Sequence, residues 1–161
     1  MVAISSRVER IAAHRYTFLS DWALPAEPAT VFSVLRDLWS YPTWWPEFKR
    51  AERIDHETGL FSLRSALPLT LTFALRRDVA DEARGHLSAT ASGDIEGSVD
   101  WLLEPTENGT TIAHFTERVT LKHRFARPAD FALRPVLNWN HAAAMRSGHN
   151  GLVSRLATPD R

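Results

Sequence analysis

Three polar side chains at alternate positions, His114, Thr116 and Arg118, are the sequence's clearest candidates for chemistry. Histidine titrates near neutral pH and can give or take a proton, and a guanidinium can hold an oxyanion. In an extended chain every second side chain shares a face, so the three point one way. They follow Asn108-Gly109, a strong signal for a two-residue hairpin turn. Such a turn pairs Glu107 with Thr110, and therefore Leu103 with His114, Trp101 with Thr116 and Val99 with Arg118. Because Val99, Trp101 and Leu103 are the apolar parity of their strand, that face is predicted to look inward and to carry the three polar groups with it. A buried polar group left unpaired costs about 1–3 kcal/mol, so protein, water or a ligand oxygen must satisfy each one. Two readings of His114 stand: contact with a ligand, or a half-buried histidine bonded to a neighbouring strand. Arg118 lies near the strand end, where its charge can reach water or a carboxylate, and Thr116 is too generic to decide anything.

A second group of candidates lies on a C-terminal helical stretch, where Arg134, Asn138, His141, Met145, Gly148, Leu152 and Leu156 fall on one side. His141 is either a proton donor or acceptor at a cavity wall or a helix histidine tied to a loop carbonyl. Met145 suits a core or a variable ligand equally. Asn140 points about a quarter-turn from His141 and is read as a loop holder. Trp39, Trp44 and Trp45 gather between the first helices and the second strand; two adjacent tryptophans on a helix cannot both face inward, so one is expected in the core and one at a rim. Leu69, Leu71, Phe73 and Leu75 are apolar lining on one strand, and Arg64 is a candidate pocket cation. Asp94 and Glu96 resemble a carboxylate pair, yet they sit in a Gly-flanked turn on the parity opposite Val99 and Trp101, so they are read as solvated turn residues.

The elements that position these residues follow from periodicity. Tyr16, Phe18, Ser20, Trp22 and Leu24 alternate with Thr17, Leu19, Asp21 and Ala23, the pattern of a first strand. Pro28 opens a short amphipathic helix carrying Val31, Phe32, Leu35 and Leu38, and Pro42 and Pro46 confine Tyr41 to Trp45 to a single turn or short helix. From Lys49 to Leu121 the chain alternates apolar and polar residues between turns, which predicts strands near 49–57, 60–66, 69–79, 86–92, 96–104 and 110–121. Helical periodicity returns after Arg127. The expected fold class is therefore α+β: a curved antiparallel sheet of about seven strands wrapped around a long C-terminal helix in a helix-grip arrangement, with two short helices after the first strand. Residues 1–14 are expected as an N-terminal extension and 15–158 as one domain.

Composition narrows the function. The 161 residues carry 19 basic and 19 acidic side chains, without blocks of either sign, which disfavours nucleic acid and other polyanions as partners. Cysteine is absent, removing disulfides and thiol catalysis. No stretch approaches the ~20 apolar residues of a membrane span, and no apolar leader precedes Ala13, so a cytoplasmic protein is expected. No metal-ligand spacing, glycine-rich phosphate loop or nucleophile elbow is present, so neither a metal nor any other cofactor is predicted. Six tryptophans against two tyrosines suggest a deep core or a flat-sided ligand.

Several motifs add a resemblance. Trp22-Ala23-Leu24-Pro25-Ala26 leading into Val31-Phe32, then Asp37, Tyr41-Pro42 and Trp44-Trp45-Pro46, is similar to the polyketide cyclase/dehydrase branch of the START/Bet v 1-like superfamily, as are Leu67-Pro68, Gly93-Asp94-Ile95-Glu96-Gly97, Trp101 and the run from Asn140 to Leu152. The resemblance implies a deep hydrophobic cavity between sheet and C-terminal helix, and a hydrophobic small-molecule ligand as partner. With it the candidate ligand-binding set is Trp39, Trp44, Arg64, Leu71, Phe73, Val99, Trp101, Leu103, His114, Thr116, Asn138, His141 and Met145. Three functions compete: a binder of a lipid-like or aromatic molecule, an aromatase/cyclase or dehydratase using His114, His141 and Arg118, and a protein-interaction module. Monomer and homodimer remain open.

Overall fold

The computed structural model describes residues 4–12, 15–64, 66–122 and 130–158. Eight strands form one antiparallel sheet: β1 (Ile4–Ala12), β2 (Arg15–Leu24), β3 (Phe48–Arg53), β4 (Thr58–Arg64), β5 (Thr70–Asp81), β6 (His86–Gly93), β7 (Ile95–Pro105) and β8 (Thr111–Leu121). Their spatial order is β1-β2-β8-β7-β6-β5-β4-β3. Between β2 and β3 lie α1 (Pro28–Arg36), a 3-10 turn (Leu38–Ser40) and α2 (Tyr41–Trp44), and the long α3 (Asp130–Ala157) closes the chain. This is the helix-grip α+β fold that periodicity predicts, with one more strand. The extra strand is β1, drawn from the expected extension, and it pairs with β2 in the register Ile4↔Trp22, Ser6↔Ser20, Val8↔Phe18. Without it, the amides and carbonyls along the free edge of β2 would face water. Its sparse apolar alternation is what an edge strand needs, and that sparseness hid it.

The hairpin between β7 and β8 departs from expectation in a way that changes the site. The Gly109 amide donates to the Thr106 carbonyl (3.1 Å) and the Thr106 amide to the Thr110 carbonyl (2.9 Å), leaving Glu107, Asn108 and Gly109 as a three-residue loop. Gly109 takes φ 74°, the left-handed position such a loop needs and glycine fills without strain. One residue more than a two-residue turn moves every partner by one. Leu103 therefore faces Ala113, Trp101 faces Phe115 and Val99 faces Glu117, while His114, Thr116 and Arg118 pair with Leu102, Asp100 and Ser98. A one-residue slip exchanges the faces of a strand, so the inward orientation expected of His114, Thr116 and Arg118 is overturned.

At one end of the sheet the concave face is filled by aromatic rings. Trp22, with no exposed surface, meets Trp101 edge-on at 4.9 Å, Trp45 at 5.5 Å and the buried His149 at 5.5 Å. Tyr41 meets Phe48 at 5.3 Å and Trp44 at 4.9 Å. These tilted and edge-on contacts match the ring quadrupoles and fix relative orientation beyond what burial alone does. α3 comes down on this cluster at two glycines. A Cβ on Gly148 would run into the Trp45 ring, and one on Gly151 would run into the Trp44 carbonyl oxygen. The Trp45 indole N–H then donates to the Ala144 carbonyl of α3 (3.0 Å). Helix and aromatic cluster thus touch backbone to ring, and this contact sets the height of α3 above the sheet.

Gly151→Ala is expected to lower stability by about 1–3 kcal/mol, the cost of overpacking, although alanine favours helix, because the obstructing atom belongs to backbone. Urea unfolding midpoints would measure it, and a stability gain would show that α3 does not seat there.

Candidate functional site

Beyond the aromatic cluster the concave face is not filled. A cavity of about 350 Å³ lies between α3 and β5 to β8, in the size range of small-molecule sites. Leu71, Phe73 and Leu75 of β5, Leu87, Ala89 and Ala91 of β6, Val99 and Trp101 of β7, and Phe115 and Val119 of β8 form its floor. Their alternate spacing is the inward parity of each strand. Phe18 closes one side, and Leu137, Ala144 and Met145 of α3 with Trp45 form the roof.

One ionisable pair stands in this apolar wall. Glu117, opposite Val99 on β8, and His141, on α3, place Oε2 and Nε2 3.3 Å apart, with side chains only 16% and 13% exposed. With the carboxylate as acceptor, Nε2 carries the hydrogen. The imidazole stacks on Phe18 at 4.0 Å and 17°, and Phe115 lies 6.4 Å away at 26°. Its Nδ1 is enclosed and has no hydrogen-bond partner among the described residues. Two of the other polar groups on the wall are engaged elsewhere. The Tyr41 hydroxyl donates to the Leu35 carbonyl (2.8 Å), and burial pushes its pKa well above the usual phenol range. Arg77 donates to Glu57 (2.6 Å) and to the carbonyls of Arg36 and His56.

The candidates named from sequence divide accordingly. Leu71, Phe73, Val99, Trp101, His141 and Met145 are on the cavity wall. Leu103 is buried in the core, outside that wall. Trp44 and Trp45 are both buried in the core, against the expectation that one would sit at a rim; the Trp44 indole N–H donates to Ser40 Oγ (3.3 Å), and of the two only Trp45 also reaches the cavity wall. Trp39 stacks on Phe61 at 6.0 Å under the Arg53 guanidinium, away from the hollow. Arg64 is exposed at the end of β4. Asn138 does not line the cavity; Asn140 does, and its side-chain oxygen accepts from the Leu67 amide (3.3 Å), the loop-holding role its angle suggested.

His114, Thr116 and Arg118 lie on the convex face. His114 bridges Asp21 (2.6 Å) and Glu104 (3.4 Å), and Arg118 approaches Asp100 (3.7 Å). Glu117, Phe18 and Phe115 are wall residues that sequence reasoning passed over, and Trp45 enters that reasoning only as the alternative to Trp44. The parity of β8 itself could have found Phe115 and Glu117: Ala113, Phe115, Val119 and Leu121 form a more apolar set than His114, Thr116, Arg118 and Thr120, and Glu117 belongs to it. Among the described residues no cluster of three or more His, Asp or Glu side chains could hold a metal ion, and no helix is long and apolar enough to cross a membrane.

A family model described as polyketide cyclase / dehydrase and lipid transport matches residues 21–157. The chain belongs to this family. Among solved structures, this family member is similar to the Zhui aromatase/cyclase from Streptomyces sp. R1128 (TM-score 0.74, 16% identity, covering 89% of this chain and 94% of that one). It is also similar to a START superfamily protein from Mycobacterium smegmatis (0.71, 14%, 88% and 97%) and to human STARD10 (0.59, 11%, 92% and 73%). At these identities the likeness is one of fold. No curated protein matches the chain.

The convex-face bridge gives a pH dependence. The hydrogen bond that His114 donates to Asp21, only partly offset by partial burial, raises the His114 pKa above its ordinary value of about 6.5. A raised histidine pKa stabilises the fold fully at pH below the unfolded value, and that contribution fades as pH rises through the folded one. Since His114 is 36% exposed, solvent screening holds the effect below about 1 kcal/mol. His114→Gln should therefore be less stable than wild type at about pH 6 and equal to it at alkaline pH, measured by urea titration at both; a deficit that grows with pH would refute the bridge.

Proposed function

We propose that this family member binds a hydrophobic, ring-bearing small molecule in the cavity between α3 and the concave sheet. The observation that carries the reading is the wall: apolar side chains from four adjacent strands and a helix, with Trp45, Trp101, Phe18, Phe73 and Phe115 presenting flat surfaces. A two-ring ligand that buries roughly 250 Å² of apolar surface gains about 6 kcal/mol before the costs of association, against about 1 kcal/mol for a neutral hydrogen bond. Burial therefore sets affinity, and polar groups set orientation. A chain without cysteine is indifferent to the redox state of its compartment, and we propose that it acts in the cytoplasm.

Trp45 and Trp101 line the wall, so intrinsic fluorescence reports occupancy. Saturable quenching by a naphthalene-type probe is expected in wild type. Ala91→Phe, which projects a ring into the hollow, should weaken binding at least about tenfold while leaving the thermal midpoint within about 2 °C. Equal binding by the two proteins would place the ligand elsewhere.

Glu117 and His141 favour a second reading, in which the cavity folds a reactive polyketone and this pair moves protons at a carbon next to a carbonyl. Here His141 keeps a place beside Glu117, whereas His114 and Arg118 leave the candidate catalytic set. Glu117→Gln and His141→Ala should each reduce turnover of a poly-β-keto substrate by about 100-fold or more while a hydrocarbon probe still saturates the cavity. Turnover unchanged in both variants would remove the cyclase or dehydratase reading and leave the binder.

A further inference from the structure

We propose that the cavity selects ligands bearing a neutral hydroxyl, that Glu117 Oε1 accepts its hydrogen bond, and that carboxylate ligands are excluded by the same oxygen. The inference rests on the binding reading above and concerns which molecules satisfy it. Glu117 Oε2 is occupied by His141 Nε2 at 3.3 Å. Oε1 makes no hydrogen bond among the described residues and is not one of the sealed polar atoms, whereas His141 Nδ1 is. The ring nitrogen is therefore closed to a ligand, and the free carboxylate oxygen is the polar atom the pair offers to the hollow.

The sign of this offer does not depend on where the shared proton resides. With neutral imidazole the pair carries one negative charge, and with imidazolium it carries none. In both states Oε1 is an acceptor and no positive excess faces the ligand. A hydroxyl supplies the missing donor without bringing a charge out of water. An ammonium also donates, but desolvating it in an apolar cavity costs several kcal/mol. A carboxylate sets oxygen against oxygen. Among the described residues the cations on the wall do not reverse this: Arg77 is bound to Glu57 and two backbone carbonyls, and Arg36 is exposed. His141 acts as a positioning residue, because its bond to Oε2 and its stacking on Phe18 hold the carboxylate with its second oxygen outward.

Three probes of one shape separate the contributions: 2-methylnaphthalene, 2-naphthol and 2-naphthoate, titrated into the full chain by Trp fluorescence and calorimetry. Wild type should bind 2-naphthol about tenfold more tightly than 2-methylnaphthalene, the range of a hydrogen bond to a charged acceptor, and 2-naphthoate more weakly than both. Glu117→Gln keeps an acceptor for His141 but removes the charge. It should reduce the hydroxyl preference to about twofold or threefold and let 2-naphthoate approach 2-methylnaphthalene. The double variant Glu117→Leu/His141→Leu, which leaves no orphaned partner, should lose the hydroxyl preference, so that 2-naphthol and 2-methylnaphthalene bind alike. Equal affinity of wild type for 2-naphthol and 2-methylnaphthalene, or 2-naphthoate binding as tightly as 2-naphthol, overturns the proposal and leaves the cavity reading intact. If none of the three binds, the cavity reading itself falls and takes this inference with it.

Discussion

The register of β8 against β7 is the constraint on which the site depends. A loop of Glu107, Asn108 and Gly109 pairs Trp101 with Phe115 and Val99 with Glu117, and because side chains alternate with period two, that single count decides which half of β8 faces the hollow. The same register carries Val119 to the wall and sends His114 and Arg118 to the convex face, where Asp21, Glu104 and Asp100 meet them. Both faces agree with it. Apolar groups are covered, and the charged groups outside find opposite charges across neighbouring strands. A two-residue turn would satisfy neither face.

The hollow exists because the concave surface is filled unevenly. At the end near α1 and α2, bulky rings bring the layers into contact, and Gly148 and Gly151 let α3 approach to the backbone. Towards the first half of α3, the floor residues on β6 shrink to Ala89 and Ala91 while β5 and β7 rise on either side. Small residues at the centre of a curved sheet, beneath a helix whose height is fixed elsewhere, leave volume that no side chain occupies. Close packing is the rule in protein interiors, and an unfilled space of this size forfeits dispersion contacts along its whole lining. Covering it with a ligand recovers them, which links the packing defect to the proposed function.

The legible part of the sequence was its long-range order. Strand, short helices, meander and long helix follow from periodicity, and each turn from β3 to β8 announces itself by Gly, Pro, Asn or Asp. The less legible part depended on counts of one. Asn108-Gly109 signals a hairpin but not whether Glu107 joins the loop, and an error there turned Thr116 and Arg118 into pocket residues and concealed Glu117. The choice between Trp44 and Trp45 likewise needs the three-dimensional seat of α3, since adjacent residues of a one-turn helix have no periodicity to read. Asn138 and Asn140 differ in the same way: the wall of α3 runs through Leu137, Asn140, His141, Ala144 and Met145, and a stripe centred on Asn138, His141 and Met145 misses it by a fraction of a turn. β1 was hidden for the opposite reason, because an edge strand needs few apolar residues.

Glu117 and His141 remain the feature that packing does not explain. A hydrophobic pair at these positions would cover the same surface without the several kcal/mol of desolvation that a largely buried ion or hydrogen-bonded pair costs. The fold does not need them for register, which the loop and the apolar parity of β8 already determine. Nor is their bond needed to tie α3 to the sheet, since Trp45 donates to the Ala144 carbonyl and His149 Nε2 donates to the Ala23 carbonyl at 3.1 Å. A costly group that neither positions an element nor closes a gap is retained for what it touches. Here that is the cavity, so the energy lost in burying the carboxylate becomes the source of its discrimination among ligands.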